Sequence, residues 1–170
     1  MKSLVVFYSL TGNTKLIAEK IASATGSDIV ELIPVKEYKK EGVMKYAWGG
    51  FQATMKKEPD LQPINPDILA NISTYDVIFL GSPVWAWTLS PPTRTFLKKD
   101  LLNVAQNKKL ALFMSAGGDG IKAMERFTAE VVSTLGNVVI GSAVFQMPLT
   151  YNQEEQVKKA EDWAQSMIQK

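Results

Sequence analysis

Apolar and polar positions alternate between two periods along this chain, and the switching predicts strands and helices in turn. Leu4 to Tyr8 is an unbroken apolar run, the pattern of a parallel strand covered on both faces. Asn13 to Ala24 places Leu16, Ile17, Ile21 and Ala24 on one helical side, and Gly26 ends it. Ile29 to Ile33 reads as a second strand stopped by Pro34. Glu41 to Lys57 has helical spacing, with Val43, Met44, Ala47, Trp48, Phe51 and Met55 as the apolar side and Gly49-Gly50 interrupting it. Glu58 to Asn71 holds Pro59, Pro63 and Pro66 and reads as an irregular connection, long enough to pack over a surface or line a site.

The second half repeats the alternation. Tyr75 to Leu80 is the third strand, ending at Gly81-Ser82-Pro83. Pro91-Pro92 opens a helix that runs to Leu102, proline being favoured in a first helical turn. Leu110 to Met114 is the fourth strand, followed by Ser115-Ala116-Gly117-Gly118-Asp119-Gly120. A helix from Ile121 to Leu135 stops at Gly136, Val138 to Phe145 is the fifth strand, and Glu154 to Ile168 the closing helix. Strands and helices in alternation predict a single α/β domain over residues 1–170, a three-layer α/β/α fold around a five-stranded parallel sheet. Ligands of such sheets sit at the carboxyl ends of the strands, beside the switch in strand order. A strand order of 2-1-3-4-5, which sequence order alone does not prove, would bring the loops after strands one, three and four together there.

Composition narrows the chemistry. The 170 residues contain no Cys and no His, which removes disulfides, thiolate metal sites, Cys nucleophiles and imidazole acid–base catalysis. No stretch approaches the run of about 20 apolar residues that a membrane helix needs. The first residues enter a strand at once, so a cytoplasmic protein without a signal peptide is expected. Net charge is +2, and the lysines come in scattered pairs, a pattern of solvated faces rather than of a nucleic-acid stripe.

The three loops carry the candidate site. Ser9-Leu10-Thr11-Gly12-Asn13-Thr14 joins a buried strand to a helix start, bringing hydroxyls, an amide and free helix N–H groups to one point. That predicts a phosphate cradle of neutral donors, or an ordinary turn with Thr11 or Asn13 as the helix cap. Trp85 and Trp87 follow the third strand, either as a lid on the core or as a platform for a planar aromatic ligand. Ser115 to Gly120 offers main-chain donors with little bulk, suited to the polar edge of a heterocycle or to a tight turn. A phosphate, a flat aromatic body and a hydrogen-bonding edge together describe flavin mononucleotide, FMN. A phosphate-loop NTPase needs Lys before the Thr of Gly12-Asn13-Thr14, and a dinucleotide fingerprint needs more glycines than Gly12.

With these motifs the whole chain resembles a short-chain flavodoxin. The resemblance rests on Tyr8-Ser9-Leu10-Thr11-Gly12-Asn13-Thr14, similar to the family's FMN phosphate loop, and on Gly81-Ser82-Pro83-Val84-Trp85. It implies that Ser9, Thr11, Asn13 and Thr14 hold the phosphate, with Leu10 and Gly12 contributing main chain. It places Pro83, Val84, Trp85, Ala86 and Trp87 against the isoalloxazine, and Ser115, Ala116, Gly117, Gly118 and Asp119 at its pyrimidine side. The implied activity is electron transfer between a reductase and an acceptor protein by transient docking, as a monomer or homodimer. An FMN-dependent NAD(P)H oxidoreductase acting on quinones is the alternative, and a flavin-free interaction module a third.

Three departures from the family pattern bear on the chemistry. The chain is slightly basic, and it has no Asp or Glu from Val77 to Lys99. Fewer negative charges predict a less negative potential for the second electron than in acidic members, a quantity read by potentiometric titration. Val84-Trp85-Ala86-Trp87 contains no Gly at which a peptide easily turns over. The loop after strand four carries no aromatic to cover the ring's other face.

Overall fold

The computed structural model describes residues 1–36, 55–102, 104, 108–136 and 139–169. Five parallel strands form one sheet in the order β2-β1-β3-β4-β5. These are β1 (Ser3–Phe7), β2 (Asp28–Glu31), β3 (Val77–Pro83), β4 (Lys109–Ala116) and β5 (Val139–Gln146). The register runs across the sheet through Val5, which lies opposite Ile29 on one side and Phe79 on the other, and on from Phe79 to Ala111 and Gly141.

Strand alternation splits the apolar side chains into two cores. Leu4, Val6, Ile78, Leu80, Leu110 and Leu112 face Phe96, Leu97, Phe127 and Val131. Val5, Phe7, Val77, Phe79, Ala111 and Phe113 face Ile17, Ala18, Ile21, Ala160 and Ala164. Helices α1 (Asn13–Thr25) and α5 (Gln153–Ile168) therefore cover one face. On the other lie α3, which starts at Pro91–Thr95 and widens into π-helical turns over Phe96–Leu101, and α4 (Ile121–Leu135). This is the three-layer doubly wound fold that the alternation predicts.

The boundaries differ in ways that matter for the site. β3 does not end at Leu80 but takes in Gly81, Ser82 and Pro83, and β4 takes in Ser115 and Ala116, with Ser82 opposite Met114 and Pro83 opposite Ser115. Gly81 is required there, because a Cβ would stand 2.1 Å from the Phe113 ring. β2 is shorter than the run Ile29 to Ile33. A short helix α2 (Pro66–Ala70) lies inside the segment read as irregular, its start capped by the Asn65 side chain accepting from Asp67 N–H. Of the helix expected over Glu41 to Lys57, residues 41–54, with Tyr46, Trp48 and Phe51, lie outside those described. Met55 and Lys56 form a turn and not a helix, Lys56 having φ 49°; Val138 is outside the described residues too.

Candidate functional site

The start of α1 is assembled from the residues that follow β1. Gly12 takes the left-handed conformation, φ 87°, and is the helix N-cap, but no side chain caps the helix. The N–H groups of Leu10, Thr11, Asn13, Thr14 and Lys15 find no acceptor among the described residues; only Gly12 N–H does, donating to Ser9 Oγ at 3.1 Å. Leu10, Asn13 and Thr14 are buried. Unpaired donors at buried positions are costly unless something binds them, and here they converge at a helix N-terminus. The donor set fits a phosphate group.

The side chains of the loop divide into two sets. Asn13 donates to Thr11 Oγ1 at 3.0 Å and accepts from Leu149 N–H at 3.0 Å, so its amide ties the loop to the turn after β5. Thr14 and Ser115 share a hydrogen bond of 2.7 Å and are both buried, which joins the loop after β1 to the end of β4. The hydroxyls of Ser9 and Thr11 accept from inside the loop and keep a proton to donate outward. The helix dipole adds positive charge there, whereas Lys15 is paired with Glu31 at 2.8 Å, and that contact raises the lysine pKa.

The two tryptophans part company. Trp85 is buried in the core, edge-on to Tyr8 with ring centroids 5.7 Å apart, whereas Trp87 is 68% exposed. Between them the chain makes a two-residue hairpin: Trp85 and Thr88 exchange both N–H···O bonds at 3.0 Å. Ala86 and Trp87 occupy its corner with φ of 47° and 58°, a left-handed pair of the kind that normally takes Asn and Gly. Long-range contacts hold this strained turn. Arg126 of α4 donates to the Trp87 carbonyl at 3.2 Å. Arg94 of α3 donates to Thr88 Oγ1 at 3.2 Å and is itself fully buried in a two-point pair with Glu130, at 2.6 and 3.1 Å. Below the hairpin, Ser82 Oγ accepts from Ser90 N–H at 2.8 Å, which closes the base of the loop.

The loop after β4 completes the arrangement. Pro83 and Val84 are half-buried, and Val84 N–H donates to Ser115 carbonyl at 2.9 Å. Ala116 is buried, its carbonyl accepting from Met147 N–H. Gly117, Gly118 and Asp119 are exposed, and the Asp119 carboxylate accepts from Ile121 N–H at the head of α4. A cleft of about 610 Å³ opens between the two loops, walled by Val84 and Trp87 on one side and by Ala116 to Gly120 on the other. It does not reach Ser9 to Thr14; the Thr14–Ser115 and Tyr8–Trp85 contacts make the two regions neighbours. Sequence reasoning missed Ile121, Lys122 and Glu125 of α4 on the cleft wall, and Leu149 beside Gly12. Leu149 was findable as an apolar residue in a loop at the carboxyl edge. Among the described residues no group of acidic side chains could hold a metal, and no helix is long and apolar enough to cross a membrane.

A family model described as flavodoxin matches residues 2–151. A flavoprotein of Lactobacillus acidophilus, solved in complex with FMN, has 26% sequence identity and a TM-score of 0.69, over 89% of this chain and 97% of that one. Oxidised flavodoxin 2 of Bacillus cereus aligns at 21% identity with a TM-score of 0.64, over 99% of both chains. The two-electron reduced flavodoxin of Megasphaera elsdenii aligns at 22% and 0.57, over 94% and 98%. A search of curated proteins by sequence gives no match.

Proposed function

This chain belongs to the flavodoxin family, and from that premise we propose that it binds FMN and carries electrons between redox proteins. The observation that carries the reading is the uncapped start of α1, where five N–H groups lack acceptors among the described residues. In it, the N–H groups of Thr11, Asn13, Thr14 and Lys15, with the Ser9 and Thr11 hydroxyls, hold the phosphate by neutral donors and the helix dipole. Asn13 fixes the cradle's shape by holding Thr11 and the Leu149 turn. Trp87 supplies the exposed stacking face, Trp85 supports it from the core, and the Gly117-Gly118 main chain faces the polar edge of the ring. FMN supplies one- and two-electron redox chemistry when bound. The cleft leaves an edge of such a ring open to a docked reductase or acceptor, and on this reading the protein is a cytoplasmic monomer or homodimer without nucleic-acid or membrane partners.

One feature favours the alternative of an NAD(P)H oxidoreductase. Among the described residues the wall opposite Trp87 is Ala116 to Gly120, with no aromatic in it, so a second flat molecule has room there. The visible spectrum of the purified protein, followed by anaerobic addition of NADPH, separates the readings. Bleaching that needs a separate reductase supports the carrier, and rapid direct bleaching the enzyme. A colourless protein that ignores added FMN overturns both.

A further inference from the structure

The Trp85–Thr88 hairpin stands between two clefts. Val84 and Trp87 line the one described above, while Ala86 and Thr88 line a second, of about 570 Å³, toward α3 and α4. Among the described residues, three cations line the second cleft, Lys56, Arg94 and Arg126, against one carboxylate, that of Glu130. Arg94 and Glu130 satisfy each other. Among the described residues that leaves two positive charges. Neither Lys56 nor Arg126 has an anionic partner among the described residues, and the one acceptor of Arg126 is the Trp87 carbonyl. A guanidinium has five N–H donors, so most of this one's capacity remains.

The rest of the lining completes a recognition site. Ala86 and Ala129 are small and leave room. The Thr88 hydroxyl accepts from Arg94 and keeps its own proton to donate. An ammonium, a guanidinium fork and a hydroxyl approaching from separate elements match a tetrahedral dianion better than a planar carboxylate.

We infer that the cleft behind the hairpin binds a phosphate monoester through Lys56, Arg126 and Thr88. Occupancy is felt on the other side of the wall, because Arg126 also holds the carbonyl of strained Trp87. An anion that draws the guanidinium toward itself loosens that hold, and the Trp87 ring moves. The binding itself is independent of the flavin reading; only the second readout below rests on it.

The test uses protein saturated with FMN, so that the α1 cradle is filled before any other phosphate is added. Inorganic phosphate and, separately, adenosine 2′,5′-bisphosphate are titrated by calorimetry into the wild type and into Arg126→Gln and Lys56→Gln. The expected result is saturable binding of one equivalent, weakened about tenfold in each variant, the size of one lost charged contact. Tighter binding of the bisphosphate assigns the phosphate to a nucleotide, and equal binding assigns it to the free anion; both uphold the site. The visible circular dichroism of the flavin changes on phosphate addition in the wild type and stays still in Arg126→Gln. Absence of saturable binding, or equal affinity in wild type and variants, overturns the proposal. Should the protein take up no flavin, the flavin reading fails visibly, and the calorimetric comparison still decides the anion site.

Discussion

The loop Ser9 to Thr14 and the hairpin Trp85 to Thr88 stand at the same carboxyl edge of the sheet and reach a left-handed backbone by opposite routes. In the loop, the residue with positive φ is Gly12, which bears no Cβ, and the contacts that shape the turn lie mostly within a few residues. In the hairpin, Ala86 and Trp87 take that conformation against their own sterics, and arginines from two helices hold them. One turn is stable by composition, the other by clamping. A turn of the first kind needs no clamp on its backbone, although Asn13 and Thr14 still tie this one to Leu149 and Ser115. One of the second kind follows the fold, which makes it the part of the site open to coupling.

The largest expected effect strikes the clamp. Arg94 is fully buried, and the side chain of Glu130 is 17% exposed. Arg94→Ala leaves that carboxylate without its two-point partner, so a loss of about 3–5 kcal/mol is expected in chemical denaturation. Lysine does not restore it, because an ammonium cannot span both Glu130 oxygens. A loss well under 1 kcal/mol would show that the hairpin is held by its own hydrogen bonds, and the contrast between the two turns would collapse.

The next two substitutions sharpen the contrast by their signs. Gly12→Ala puts a Cβ on a residue with φ 87°, 3.2 Å from Leu149 Cδ1. It is expected to cost about 1–2 kcal/mol of stability and to weaken FMN binding with it. Ala86→Gly removes a Cβ from the same region of backbone space. The strain relieved, about 1–2 kcal/mol, outweighs the added freedom of the unfolded chain, about 0.4–1 kcal/mol, so a net gain is expected. Thermal unfolding of the two variants side by side reads both. Equal signs would mean that Ala86 is unstrained where it stands.

The same division explains what the sequence could reveal. The cradle was legible because its signals are local: an apolar run, hydroxyls, one Gly and a helix start within a dozen residues. Five apolar runs made the parallel sheet legible, but its order, β2-β1-β3-β4-β5, rested on the resemblance to flavodoxins, because alternation along the chain does not say which strands become neighbours. The ends of β3 and β4 were not legible, because Gly81-Ser82-Pro83 has the composition of a turn. Its pairing is decided by the neighbouring strand. Val84 N–H points to β4, which turns the Pro83 nitrogen toward the side where β1 has already ended, so its missing donor is not needed. The two tryptophans looked alike in sequence, and tertiary contacts part them: Trp85 packs edge-on to Tyr8 in the core, while Trp87 stands exposed with its carbonyl held by Arg126. No local signal announces a left-handed Ala-Trp pair, since turn chemistry predicts Asn-Gly there.

The smallest effect lies at the opposite edge of the sheet and appears only in alkali. Tyr75 precedes β3 and donates to the Asp28 carboxylate at 2.6 Å, at the start of β2. Burial first, and that hydrogen bond second, push its pKa up to about 12 from 10.0. The folded state thus holds this proton more tightly than the unfolded chain does. Its contribution is complete below pH 10 and is lost as pH rises from there through about 12. Tyr75→Phe has no proton to lose, so the gap in stability between wild type and variant narrows over that window while staying level at neutral pH. Denaturant midpoints taken across it read the change. A gap that stayed constant through pH 12 would mean the phenol is no better protected than in the unfolded chain, and that the Tyr75–Asp28 contact does not hold this edge.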